Sequence, residues 1–128
     1  MFFKHAEESL EIMDAAAGNF SAKGVAIISF IPGEETKSWI SKMKVIGSLS
    51  NEKANFLAIA GSKAAEMATT YMDSGSGVRK PLNGELGYKG GVIRKVKCGY
   101  IVASFSGSSG EIDAKISKAG LDFLSRYY

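Results

Sequence analysis

The Gly/Ser-rich corner Ser106–Gly110 is the part of this chain best suited to bind an anion. A helical pattern follows it, and the first backbone N–H groups of a helix have no partner within the helix. Such groups favour an anion, and small residues let a ligand approach the backbone closely. We therefore predict a ligand-binding surface here, formed by Ser106, Gly107, Ser108 and Ser109.

Two further segments are expected to complete this surface. Gly90 and Gly91 are predicted to lie beside the corner, and Arg79 or Lys80 is predicted to reach the ligand from a preceding loop. A tight turn also requires small residues, so a purely structural corner remains an alternative. Replacement of Gly107 by Val together with Ser109→Glu is expected to abolish anion binding while the fold persists.

Residues typical of catalysis or metal binding are few. His5 is the only histidine, and a solvated histidine near the terminus is the simpler interpretation. Cys98 falls in a predicted turn without a histidine base nearby, and we interpret it as inert. Glu111 and Asp113 stand near a helix start, where capping and dipole effects explain both. The sequence thus predicts no catalytic constellation and no metal site.

The segment from Arg79 to Lys97 is basic, because it carries six Lys or Arg residues against only Glu85. Nucleic-acid binding is not favoured, since Tyr88 is the only aromatic residue within it that could stack on a base. Lysines on an edge strand, which discourage sheet-to-sheet aggregation, are the simpler explanation.

Length and composition predict one domain, residues 1–128. Hydrophobic residues make up 45% and charged residues 23%, as is ordinary for a globular protein. No apolar run is long enough to span a bilayer, and acids in the first residues argue against a signal peptide. A lone cysteine cannot form an internal disulfide, which favours the reducing cytoplasm.

Hydrophobic periodicity predicts the elements that must position these residues. We expect helix 3–17, strands 25–31 and 37–46, helix 51–72, irregular segment 73–89 with a short strand at 78–82, strands 92–96 and 100–105, and helix 112–123. Ser50 is the expected N-cap of the long helix, and Ser108 with Glu111 forms an expected capping box. Phe3 begins the expected buried stripe of the first helix.

This order alternates strand pairs with helices, rather than single strands with helices. It therefore predicts an α+β domain, in which helices pack on one antiparallel sheet. A profilin-like or PAS-like arrangement fits the order best.

The C-terminal half resembles the HbpS/GlcG-type family of haem-binding and haem-degrading proteins. The matching positions are Gly90-Gly91, Ser106-Gly107, Glu111, Asp113 and Ala119-Gly120-Leu121. Upstream, Lys42-Met43 stands where the family often has Arg-Met, and Ser62–Ala65 resembles its Lys-Ala helix motif. Pro32–Glu35 replaces the family's Asp-x-Gly-Gly turn, and the hairpin at Cys98-Gly99 is about two residues short.

The resemblance implies a profilin-like fold, homo-oligomers and, in some members, haem or corrinoid-related partners. In a haem protein, His5 would be the axial ligand. Met43 or Met67 could also contact the iron, although methionine in a core stripe usually fills gaps.

Three classes of function remain open. The first is an oligomeric protein that binds a small ligand, either haem or a related anion. The second is a non-enzymatic dimerisation scaffold similar to roadblock-type domains. The third is a small hydrolase or isomerase acting on an anionic substrate. Apolar strands and an alanine-rich helix predict at least a dimer.

Overall fold

The computed structural model describes all residues, 1–128. Three helices and four strands form it: α1 (Phe2–Asn19), β1 (Gly24–Pro32), β2 (Ile40–Ile46), α2 (Phe56–Thr70), β3 (Gly91–Val96), β4 (Gly99–Ser106) and α3 (Gly110–Leu124). A 3₁₀ turn, Ser125–Tyr127, follows α3. The α+β class predicted from the order of elements is confirmed.

The four strands form one antiparallel sheet in the order β2-β1-β4-β3. Successive residues of a strand point to opposite faces. Ala26 and Ile28 join the core formed with α1 and α3, whereas Val25 and Ile27 pack under Ala60 of α2. The sheet is therefore covered by α1 and α3 on one side and by α2 on the other.

The two central strands are buried on both faces. The nearly continuous apolar run Val25–Ile31 predicts that β1 is covered on both sides, and the structure confirms this. In β4, Tyr100, Val102 and Ser104 predict a mixed second face, but the structure buries most of that face under α2. Its polar residue Ser104 is accommodated because its hydroxyl donates to the carbonyl oxygen of Ala60 at 2.7 Å. A buried hydroxyl with a partner avoids most of the cost of desolvation.

The start of α2 differs from its prediction. Residues 51–54 form a turn in which the Asn51 side chain accepts from the N–H groups of Lys53 and Ala54, each at 2.8 Å. The helix then begins at Phe56, with Asn55 as its N-cap. The assignment of Ser50 as N-cap was wrong, because two competent caps lie five residues apart and tertiary contacts choose between them.

Smaller differences concern α1, β2 and the loop. Phe2 is buried and Phe3 is 69% exposed, because the stripe facing the sheet is centred on Phe2, Ala6 and Met13. The second strand begins at Ile40 rather than Lys37. Residues 73–89 are irregular as predicted, but no strand forms at 78–82. None of the helices is long and apolar enough to cross a membrane.

Candidate functional site

A pocket of about 470 Å³ opens where β4 ends and α2 and α3 approach each other. The predicted corner supplies Ser106, Gly107, Ser108 and Gly110 to its wall, and the loop before β3 supplies Tyr88 and Lys89. Phe56 and Ile59 of α2 provide apolar surface, and Lys63 and Asp113 complete the lining. Strand, loop and both helix layers therefore meet at this one cavity.

The corner is held in shape by a cap and by a close backbone approach. Ser109, rather than Ser108, caps α3, because its hydroxyl accepts from the N–H of Ile112 at 3.2 Å. The predicted capping box with Glu111 is therefore wrong. A Cβ on Gly107 would lie 1.9 Å from the carbonyl oxygen of Lys23, so Gly107→Val would not leave the fold intact, contrary to our expectation.

An internal carboxylate already occupies part of the predicted anion site. The N–H of Ser108 donates to Oδ1 of Asp113 at 2.9 Å. Asp113 is only 2% exposed, so it does much more than complement a helix dipole. An incoming anion must therefore be held by other groups of the pocket.

Lys63 and Asp113 form a buried ion pair between α2 and α3. Nζ of Lys63 lies 3.0 Å from Oδ2 of Asp113 and donates to the carbonyl oxygen of Phe105 at 2.8 Å. The side chains are 2% and 3% exposed. This pair links the helix layers across the end of the sheet, and it forms part of the pocket wall.

Burial drives both members of the pair toward their neutral forms. Loss of solvent lowers the pKa of Lys63, and the Asp113 carboxylate opposes that shift. Burial raises the pKa of Asp113, against which act the Lys63 ammonium and the backbone N–H groups of Ser108 and Gly107. Burial therefore brings the pKa values of Lys63 and Asp113 closer together than in a solvated pair.

Two cationic groups of the pocket retain unused donors. A lysine ammonium has three N–H donors, and Lys63 uses two of them, so one has no protein acceptor. Lys89 is exposed and forms no ion pair. Two lysines against the single carboxylate of Asp113 give the wall a net positive charge.

The structure separates the two predicted glycines. A Cβ on Gly90 would lie 2.5 Å from Nζ of Lys63 and 2.7 Å from Cβ of Asp113, so this glycine borders the ion pair. Gly91 packs under α2, where a Cβ would lie 2.4 Å from Cε of Met67. Only Gly90 therefore lies beside the pocket's charged groups.

Arg79 and Lys80 do not line the pocket. Arg79 forms two hydrogen bonds to the Glu85 carboxylate, at 2.7 and 3.0 Å, and one to the Thr69 hydroxyl at 2.7 Å. These bonds tie the loop to α2. Lys80 is exposed, and its carbonyl oxygen accepts from Arg79 at 3.1 Å. The basic loop residue that lines the pocket is Lys89.

Two other basic residues of the segment 79–97 form ion pairs within the chain. Arg94 pairs with Asp122 at 2.7 Å and Lys95 with Glu34 at 3.1 Å. Lys97 lies in the turn between β3 and β4 and forms no ion pair. The basic composition noted in the sequence therefore does not produce one continuous cationic surface.

The remaining candidates lie away from the pocket. His5 belongs to α1, stacks on Tyr127 with ring centres 3.5 Å apart, and contacts Glu8 at 3.2 Å. Cys98 is exposed in the β3–β4 turn. Met67 is buried in the core, whereas Met43 is 38% exposed on β2. No group of three or more His, Cys, Asp or Glu side chains is placed to hold a metal ion.

Comparison with solved structures identifies the architecture. A double mutant of HbpS from Streptomyces reticuli matches 97% of this chain and 86% of its own, with a TM-score of 0.66 and 18% identity. The Ybr137w protein matches 99% of this chain and 79% of its own, with a TM-score of 0.65 and 18% identity. This chain has the HbpS fold. A second HbpS structure agrees, since it matches 97% of this chain and 89% of its own, with a TM-score of 0.57 and 16% identity.

The HbpS likeness confirms the predicted relationship at the level of the fold. No known protein family matches the sequence itself. No curated protein matches it either. At these identities an HbpS-like fold does not carry a ligand or an activity with it.

Haem does not fit the side chains of this pocket well. Its lining contains no histidine, cysteine or methionine, the residues that most often bind haem iron. The single histidine, His5, lies on the helix layer across the sheet from α2. Tyr88 is the only lining residue of a type that serves as an axial ligand, and it is 53% exposed.

Sequence reasoning missed the role of Lys63. Lys63 lies within the apolar stripe predicted for the long helix, between Ala60 and Met67. A lysine is almost never fully buried without a partner. That position was the available signal for a buried ion pair, but the partner, 50 residues away, needed the tertiary structure.

Proposed function

We propose that this protein binds a small anionic ligand in the pocket between α2, α3 and the loop before β3. One observation carries the proposal: Lys63 and Lys89 line the same cavity, each with donors that no protein atom accepts. A donor directed into a pocket gains from an anionic acceptor, because hydrogen bonds between charged groups are the strong ones.

The ligand class follows from the lining. Phe56, Ile59 and Tyr88 offer apolar and aromatic surface beside the two lysines. Asp113 repels additional negative charge and already holds one backbone N–H of the corner. The ligand must therefore contact apolar surface and carry little negative charge. A small organic carboxylate with a short apolar body meets these two requirements better than a multiply charged phosphate does.

Chemical-shift titration with lactate, with inorganic phosphate as a second probe, tests this assignment. Shifts are expected at Ser106–Gly110 and at Lys89, and lactate is expected to bind more tightly than phosphate. Lys89→Gln keeps a polar side chain that is one atom shorter but removes its charge, and we expect it to weaken binding about tenfold.

Lys97→Gln is the matched control, because Lys97 is exposed and lies in the β3–β4 turn, away from the pocket wall. It should bind lactate like the unmodified protein. Shifts clustered around His5, or equal losses in both variants, would contradict the proposed pocket. A haemin titration that produces a sharp absorption band would instead favour haem as the ligand.

A further inference from the structure

Nζ of Lys63 has one tetrahedral direction without a protein partner. The nitrogen is bonded to Cε, and two of its N–H groups point to the Phe105 carbonyl and the Asp113 carboxylate. In the ammonium, the third N–H takes the remaining direction, whereas in the neutral amine the lone pair takes it. Because Lys63 belongs to the pocket wall, that lone pair would be available to a bound molecule.

We propose that Lys63 forms an imine with the carbonyl carbon of a small 2-oxo acid bound in this pocket. The inference rests on the proposed function and names its ligand more closely. Lys89 would hold the carboxylate of the 2-oxo acid, and Lys63 would attack the adjacent carbonyl. The sequence marks no catalytic group, but a desolvated lysine is a known type of nucleophile for carbonyl compounds.

Asp113 is positioned to carry the protons of this reaction, since its Oδ2 lies 3.0 Å from Nζ. The ammonium gives one proton to Asp113, and the neutral amine rotates about the Cε–Nζ bond so that its lone pair takes the third direction. The amine then forms a C–N bond while the carbonyl electrons move to oxygen. Asp113 returns that proton to the oxygen. It then accepts a second proton from nitrogen and delivers it to the hydroxyl, which leaves as water. The ammonium and the ketone thus become a protonated imine and one water molecule.

Two features of the surroundings support this role. Burial lowers the pKa of Lys63, which increases the fraction of free amine at neutral pH. Gly90 lets the backbone of the loop pack closely on the amine, since a Cβ there would lie 2.5 Å from Nζ, and this close packing keeps the amine out of bulk water. Lys89, by contrast, is exposed, and its basic side chain is suited to binding a carboxylate.

Reductive trapping tests the proposal on the full chain. The protein is incubated with pyruvate and cyanoborohydride at neutral pH, and the modified residue is identified by peptide mass mapping. We expect one adduct, at Lys63, formed at least about tenfold faster than at any exposed lysine, since binding in the pocket holds the ketone beside the amine. Lactate has no ketone and should protect Lys63 in proportion to its occupancy.

Lys63→Arg keeps the positive charge beside Asp113 but removes the reactive amine, so the adduct at position 63 should be lost while the exposed lysines react as before. If this variant does not fold, the peptide mass map and the protection by lactate, both measured on the unmodified protein, still test the proposal. Adducts spread evenly over exposed lysines, or placed at Lys89, would overturn the proposal.

The two proposals fail in different ways. Lactate binding without a pyruvate adduct would overturn the imine and leave the anion pocket standing, with Lys63 and Asp113 acting only as a tie between helices. Absence of binding by lactate, phosphate and pyruvate alike would overturn both.

Discussion

At the scale of single residues, the buried pair Lys63–Asp113 dominates the behaviour of the pocket. Taking two charges out of water is expensive, and their attraction and hydrogen bonds only offset that cost. Such a pair is therefore a poor device for stability alone. It does, however, set which side chains face the cavity and with what charge.

Removal of one partner should be much worse than removal of both. Asp113→Ala leaves the Lys63 charge buried without its carboxylate and is expected to lower the free energy of unfolding by about 3–5 kcal/mol. The double variant Lys63→Met with Asp113→Ala should be less destabilised than the sum of the single variants. Urea unfolding of the three proteins measures this, and strict additivity would show that the two side chains act independently.

Glu85 should give the loop a dependence on acid pH. Hydrogen bonds from Arg79 and from the Leu82 N–H lower the pKa of Glu85 from 4.5 to about 2. A carboxyl group with a lowered pKa stabilises the folded state fully above its unfolded value and loses that contribution as pH falls. The contribution of the Arg79–Glu85 bonds to folding stability should therefore fall between about pH 4.5 and pH 2, and the bonds themselves should break as Glu85 is protonated near pH 2.

A carbon-13 titration of the Glu85 carboxyl group, read together with amide exchange in residues 73–89, checks this expectation. Glu85→Gln has no proton to gain and should lack the transition in that window. A midpoint near the ordinary value for glutamate would mean that the contacts with Arg79 do not persist in solution.

At the scale of elements, the first turn of α2 shapes one wall of the pocket. Asn55 accepts from the N–H of Ala58 at 3.0 Å, and the turn before it places Asn51 and Ala54 along the cavity. An N-cap both ends the preceding loop and fixes the direction of the helix. The position of Lys63, two turns further along, depends on it.

The choice of N-cap is directly testable. Asn55→Ala should lower the free energy of unfolding by about 1 kcal/mol, because the N–H of Ala58 loses its acceptor. Ser50→Ala, at the position we first predicted, should change it by less than about 0.5 kcal/mol. Thermal or urea unfolding compares the two variants. A larger loss of stability in Ser50→Ala would indicate that the helix begins at residue 51.

At the scale of the whole molecule, β2 is the strand that the helices cover least. Trp39, Met43 and Val45 are 39%, 38% and 42% exposed, and Trp39 lines an open surface pocket together with Gly61 and Ala65 of α2. Adjoining apolar residues on a surface are typical of sites of association. They support the homo-oligomer that we predicted from the sequence.

We expect light scattering at micromolar concentration to give at least the mass of a dimer. Met43→Glu should reduce that mass if this surface is shared, whereas Phe3→Glu, at a more exposed site on α1, should not. A monomeric mass for the unmodified protein would contradict the prediction. Assignment to the cytoplasm likewise stays a prediction.

The order of the elements and the class of the fold could be derived from the sequence, because both depend on local periodicity. The nearly continuous apolar run of β1, the stripe of α3 and the glycines of residues 73–89 each act within a few positions. The Gly/Ser corner was equally visible, since a turn that passes close to another strand needs small residues.

The contents of the pocket depended on contacts between distant residues. Asp113 filled part of the corner that we had reserved for a ligand, and Arg79 turned to Glu85 instead of the corner. Lys89 took the place expected for Arg79 or Lys80. A long charged side chain can reach many partners, and the sequence records its chemistry but not its neighbours. Only the packing of α2 and α3 at the end of the sheet decides which charges remain free to meet a ligand.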